Sequence, residues 1–122
     1  QSIGSRAYEY DILGRRTKST LYNSNGVVEE TLNYVFDDDD FKNYEYLVDS
    51  TLKLISKKEM LLDHRGRPYI GVILDGEERV LEKNVYSYDE KSRIVQIKQY
   101  DMIRRWHDDQ KIPVKVMTYE YE

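Results

Sequence analysis

Apolar and polar residues alternate along most of the chain, and the alternation keeps time with a repeat. From Tyr8 the order Tyr-Glu-Tyr-Asp places two tyrosines on one side of an extended segment that ends at Asp11. Such alternation predicts a half-buried strand. The step from a large apolar residue to Asp returns at Phe36-Asp37, Leu62-Asp63 and Tyr88-Asp89, each 26 residues after the last. A second series, Tyr22-Asn23, Val48-Asp49, Leu74-Asp75 and Tyr100-Asp101, runs between them with the same period. Turns are therefore expected at alternating intervals of 12 and 14 residues. Chance rarely holds eight positions in phase, so the repeat organises the whole reading.

The turn residues explain the period. In Asp-x-x-Gly, the carboxylate can accept backbone N–H bonds at the start of a type I turn. Glycine at the fourth position takes the left-handed conformation and closes a three-residue hairpin loop. This arrangement sets Asp11 opposite Arg15, Asp63 opposite Arg67, Asp75 opposite Arg79, Asp89 opposite Arg93 and Asp101 opposite Arg105. Gly14 and Gly66 occupy the fourth position, where the second turn of the first series has Asp40 and the last has Ser92.

Pairing residue i with i+4 across every turn would send all even-numbered residues to one face. That face would hold Tyr8, Tyr10, Tyr22, Leu32, Tyr34, Phe36, Tyr44, Tyr46, Met60, Leu62, Leu74, Tyr86, Tyr88 and Tyr100. The expected fold is all-β: an antiparallel meander of about nine strands made from four 26-residue hairpin units. A sheet with one apolar face should not leave it in water. A strongly curved or rolled single sheet is therefore expected, with a two-layer sandwich as the alternative. The phase breaks after Asp101, and Tyr119-x-Tyr121-Glu122 restores the pattern seven residues late. An inserted loop is expected at about 102–113, within one domain spanning 1–122.

Composition narrows the function classes. The 122 residues carry 19 basic and 23 acidic side chains, a net charge of −4 without a basic stripe, which argues against a nucleic-acid binder. There is no cysteine, hence no disulfide or thiolate metal site, and no apolar run reaches transmembrane length. Twelve tyrosines against two phenylalanines indicate pleated, amphipathic surfaces.

The segments "YEYDILGR", "YSYDEKSR" and "MLLDHRGR" resemble the YD repeat of Rhs/YD-repeat proteins, large bacterial secreted and surface proteins. The resemblance covers about residues 6 to 105. It rests on Tyr8, Tyr10, Asp11, Gly14, Arg15, Asp63, Gly66, Arg67, Tyr86, Tyr88, Asp89 and Arg93. It implies curved β assemblies acting as shells, stalks or adhesive surfaces, with carbohydrate or protein as partner and an extracellular, periplasmic or outer-membrane setting. It brings no catalytic residue and no cofactor.

The chemistry-bearing candidates are few. "DDDD" at 37–40 could suit a hard cation, but it coincides with a repeat turn and lacks the ligand spacing of a calcium loop, so an acidic turn without metal is expected. His64 falls inside a turn. His107 adjoins Asp108 and Asp109 but has no nucleophile or metal-ligand partner at useful spacing. Trp106 stands in the inserted loop with Arg104, Arg105 and His107, where it is expected to pack as a lid over the end of the sheet or, as the alternative, to serve as a recognition anchor. If the chain recognises a ligand, these four are the expected binding residues. The expected role is a non-enzymatic structural or binding module, with association of copies through edge strands. The alternative is a carbohydrate hydrolase using Asp or Glu, or a binder of small ligands in a closed lumen.

Overall fold

In the computed structural model, residues 4–103 and 112–122 are described. They form one sheet of nine antiparallel strands in sequence order: β1 (Ser5–Tyr10), β2 (Arg16–Tyr22), β3 (Val28–Asp37), β4 (Lys42–Asp49), β5 (Leu54–Leu62), β6 (Pro68–Asp75), β7 (Val80–Tyr88), β8 (Ile94–Asp101) and β9 (Lys115–Thr118). The all-β meander expected from the repeat is the observed fold. Strands touch only their sequence neighbours, so the sheet neither closes into a barrel nor doubles back as a sandwich. The single sheet is the expected one, whereas closure of that sheet and the alternative of a two-layer sandwich are not observed.

The register explains why no single apolar face had to be hidden. Most hairpins carry a one-residue bulge just beyond the turn. Tyr10 opposes Arg16, but Glu9 opposes Lys18, and the same slip recurs at Tyr22, Val48, Leu62, Leu74 and Tyr88. The β3–β4 hairpin has no bulge and instead uses a four-residue loop, with Asp37 opposite Lys42. In either case each hairpin contains one residue more than simple i-to-i+4 pairing allows, and one residue flips a strand's faces.

The all-even face is therefore overturned. One face carries even residues from odd-numbered strands and odd residues from even-numbered strands, as in the row Tyr8–Ser19–Leu32–Leu47–Ser56. The opposite face carries the row Glu9–Lys18–Asn33–Tyr46–Lys57–Leu74. Tyr8, Tyr34 and Tyr86 thus lie on one surface, and Tyr44, Tyr46 and Tyr100 on the other. Both surfaces are mixtures of apolar and charged side chains.

A sheet of this kind has almost no interior. Among the described residues the buried ones are Ser19, Thr20, Thr31, Gly71 and Leu74. The total accessible surface is 8780 Å² for 14.6 kDa, whereas a compact monomer of that mass exposes about 6,900 Å². The excess is what two uncovered faces cost. Stability then comes from neighbours within a face, where cross-strand pairs and long side chains cover one another. Gly71 is one place where this needs a missing side chain, since an added Cβ would lie 3.0 Å from Met60 Sδ and 3.3 Å from the Tyr86 hydroxyl.

Candidate functional site

The repeat residues build the two rims of the sheet. In the Asp11 turn, the Asp11 amide donates to the Arg15 carbonyl at 2.9 Å and the Gly14 amide to the Asp11 carbonyl at 3.0 Å. One carboxylate oxygen accepts from the Leu13 and Arg15 amides, each at 2.9 Å, and the other accepts from Arg15 Nε at 2.8 Å. Asp63, Asp75 and Asp89 repeat the pattern with Arg67, Arg79 and Arg93. Asp49 binds the Thr51 and Lys53 amides, and Asn23 the Asn25 and Val27 amides.

These bonds favour the charged carboxylate. Asp11, Asp63, Asp75 and Asp89 are held below the ordinary 3.8, first by the backbone amide of the arginine four residues on. Asp49 is held down first by the Thr51 side chain. The fourth turn residue is left-handed as expected, with φ of 81°, 78° and 79° at Gly14, Gly26 and Gly66. Leu52, Glu78 and Ser92 adopt the same conformation without glycine. In the β3–β4 loop the left-handed residue is Phe41, one position late.

The motif arginines do more than close their own turns. Arg15 lies 4.3 Å over the Phe36 ring, Arg67 lies 4.5 Å over Tyr88, and Arg93 lies 4.3 Å over Tyr121. Each arginine thus reaches across to the aromatic of the next hairpin on the same rim, and cation–π stacking joins hairpin to hairpin. Arg15 Nη1 also reaches Asp38 at 3.1 Å, and Arg67 Nη1 reaches the Ser92 hydroxyl at 3.1 Å. The tyrosine hydroxyls return the contact: Tyr88 donates to the Pro68 carbonyl, and Tyr121 to the Ile94 carbonyl at 2.7 Å. Tyr121 therefore performs the role of Tyr88 despite arriving seven residues late. The β8–β9 register, extended three residues beyond Gln96 opposite Thr118, places Tyr121 across from Arg93.

A second cluster lies on the face that holds Tyr46. The Tyr44 and Tyr46 rings are 6.2 Å apart with planes inclined by 26°. Lys57 Nζ sits 5.3 Å and 5.4 Å from their centroids, 3.9 Å from Glu59 and 3.7 Å from Glu78. The lysine side chain is only 16% exposed. Cross-strand register makes the cluster, since Tyr46 faces Lys57 and Tyr44 faces Glu59. Sequence reasoning missed it because the expected parity put the tyrosines and Lys57 on opposite surfaces. Tyr44-x-Tyr46 would have pointed to it once the extra residue per hairpin was counted.

Chemically, this is a platform of two aromatic rings with an ammonium and two carboxylates as polar handles. It suits a ligand with an apolar face and hydroxyls at its edge. Two depressions mark the sheet. One, of about 190 Å³, lies on the opposite face, the one that holds Tyr8, and is lined by Leu32, Glu45, Leu47, Ser56, Lys58 and Ile73, with Lys57 at its border. The other, of about 380 Å³, is lined by Asp75, Arg79, Val80, Leu81 and Ile103.

The expected site residues fall differently. Arg104, Arg105, Trp106 and His107 lie outside the described residues, as does the Asp101–Arg105 pairing. His64 lies exposed at the tip of its turn. In the acidic run, Asp38 holds Arg15 and the Asp37 carboxylate accepts the Asp40 amide at 3.2 Å, so two of its four carboxylates serve the turn and rim. Among the described residues no cluster of three metal-ligating side chains occurs. No described helix is long and apolar enough to cross a membrane. Because the sheet is open, the closed lumen of the small-ligand alternative does not exist.

No family model and no curated protein matches the chain. Among solved structures, a protein of unknown function from Bacteroides fragilis NCTC 9343 is similar over 98% of this chain and 92% of its own, with a TM-score of 0.68 and 15% identity. The likeness extends over the whole meander. At that identity it speaks to the fold alone.

Proposed function

We propose that the chain is a non-enzymatic structural and binding module of a bacterial secreted or cell-envelope protein, built on YD-like repeats and taking carbohydrate or protein on its broad surfaces. The observation that carries this reading is the single uncovered layer: each strand leans only on its neighbours, so length and area are what the architecture supplies. The repeat residues are engaged in turns and rim contacts, as expected of a structural motif. Their carboxylates are shifted down, the opposite of the raised value a glycosidase acid requires. The platform of Tyr44, Tyr46 and Lys57 is the surface best suited to a sugar ring.

The test is a screen of glycans and small metabolites by thermal shift, followed by NMR mapping on the labelled protein. One glycan class should raise Tm by several degrees and move the resonances of Tyr44, Tyr46 and Lys57, and Tyr46→Ala should abolish the response. Turnover of any glycan would replace this reading with the hydrolase alternative. Binding that maps away from Tyr44, Tyr46 and Lys57 would remove the platform from the proposal.

A further inference from the structure

Three aromatics on the arginine rim, Phe36 and Tyr88 just before a turn and Tyr121 after β9, each receive a guanidinium from the hairpin before them. Phe36, Tyr88 and Tyr121 have theirs from Arg15, Arg67 and Arg93. Tyr10 holds the same position before Asp11, but β1 is an edge strand with a single neighbour. Arg16, from its own hairpin, stacks at 4.1 Å on Tyr8. Among the described residues no guanidinium overlies the Tyr10 ring, which is 56% exposed.

Two further observations point to the same edge. The Asp11 amide bonds inward to Arg15, so by antiparallel alternation the amides of Arg6, Tyr8 and Tyr10 face outward, away from β2. The tip of this hairpin is Ile12-Leu13, 102% and 71% exposed. Five of the six other complete tips read Ser-Asn, Ser-Thr, His-Arg, Gly-Glu and Glu-Lys, and the four-residue β3–β4 loop reads Asp-Asp-Asp-Phe, with Phe41 51% exposed, so only the first tip is apolar at both central positions. An apolar tip, an unstacked tyrosine and a row of outward amides thus coincide at one corner of the molecule.

We propose that the outer edge of β1 is a docking site for a tenth antiparallel strand, taken from a hairpin with an Asp-x-x-Gly-Arg turn whose arginine stacks on Tyr10. The occupant continues the interface that β6 already makes with β7, where Arg67 covers Tyr88. Strand addition supplies main-chain hydrogen bonds along the edge, and the arginine fixes register. The inference stands apart from the ligand reading above, since it concerns the edge of the sheet and not its faces.

The test uses the full chain and, as probe, a synthetic peptide of residues 54–75, which contains β5, the Asp63 turn and β6. Binding should protect the Arg6, Tyr8 and Tyr10 amides from exchange and shift the Ile12 and Leu13 resonances. A peptide carrying Arg67→Ala should bind about two- to five-fold more weakly, the worth of one exposed cation–π contact. Tyr10→Lys in the protein, a change at an exposed ring, should weaken binding of the natural peptide and erase that difference. Unchanged β1 amides, equal binding of the two peptides, or protection confined to β9 would each overturn the proposal. So would concentration-dependent protection of β1 without peptide, which would make a second copy the occupant.

Discussion

The two rims of the sheet use one turn design and join their hairpins by different means. On the rim after β1, β3, β5 and β7, Arg15, Arg67 and Arg93 stack on Phe36, Tyr88 and Tyr121, while the turn after β3 has no arginine and faces Leu62. On the rim after β2, β4 and β6, Arg79 pairs, among the described residues, within its own turn, with Asp75 and Glu77, and stays 64% exposed. The difference is one of register. Extending β6–β7 pairing by three residues sets Arg67 opposite Tyr88, whereas extending β5–β6 pairing by three sets Lys53 opposite Glu78, the left-handed residue of the next turn. The alternation of 12 and 14 residues between turns therefore makes one rim a line of cation–π contacts. It leaves the other to rely on side chains such as Leu74, 7% exposed just before Asp75.

Acid should break both rims most broadly. Asp11, Asp63 and Asp89 on one rim and Asp49 and Asp75 on the other have native affinities for protons below the ordinary 3.8. The unfolded chain therefore takes up protons first, and stability is lost as pH falls below about 4 toward the native values. Above about 5 that contribution is complete and flat. Asn23 supplies an internal control. Its contacts to the Asn25 and Val27 amides carry no titrating group, so exchange protection there should survive locally where the Leu13 and Arg15 amides lose theirs.

Leu74→Ala should be the most damaging single substitution on the second rim, costing about 2–4 kcal/mol in urea denaturation. A loss under about 1 kcal/mol would mean that the rim does not depend on apolar packing. Glycine positions come next. Gly66→Ala meets no nearby atom but forces a left-handed alanine, a cost of about 1–2 kcal/mol. Leu52→Gly, relieving the same conformation on the opposite rim, should stabilise by about 0.5–1 kcal/mol.

The smallest effect separates the rims most directly. Arg67→Ala should cost more than Arg79→Ala, by about 0.5–1 kcal/mol for the lost stacking on Tyr88. Equal costs would show that the rim stacking adds nothing beyond closing each turn.

Most of the turn chemistry was legible in the residues. Asp and the Arg four residues on dictate the turn within five residues, so Asp11 and Asp63, with glycine at the fourth position, and Asp75 and Asp89, with Glu78 and Ser92 there, all make the predicted bonds. The platform was not legible, because it depends on which way Tyr46 and Lys57 point after several hairpins. Rim stacking was likewise hidden, since Arg67 and Tyr88 meet through a register that no local motif states.

Taken alone, the sequence determined the number of strands, their antiparallel order and where the chain turns, because those follow from interactions among near neighbours. Only the tertiary structure decided which side chains share a surface, that the sheet stays open, and that Tyr121 meets Arg93. The physical reason is cumulative: each bulge or four-residue loop adds one residue, and one residue exchanges the faces of the strand that follows.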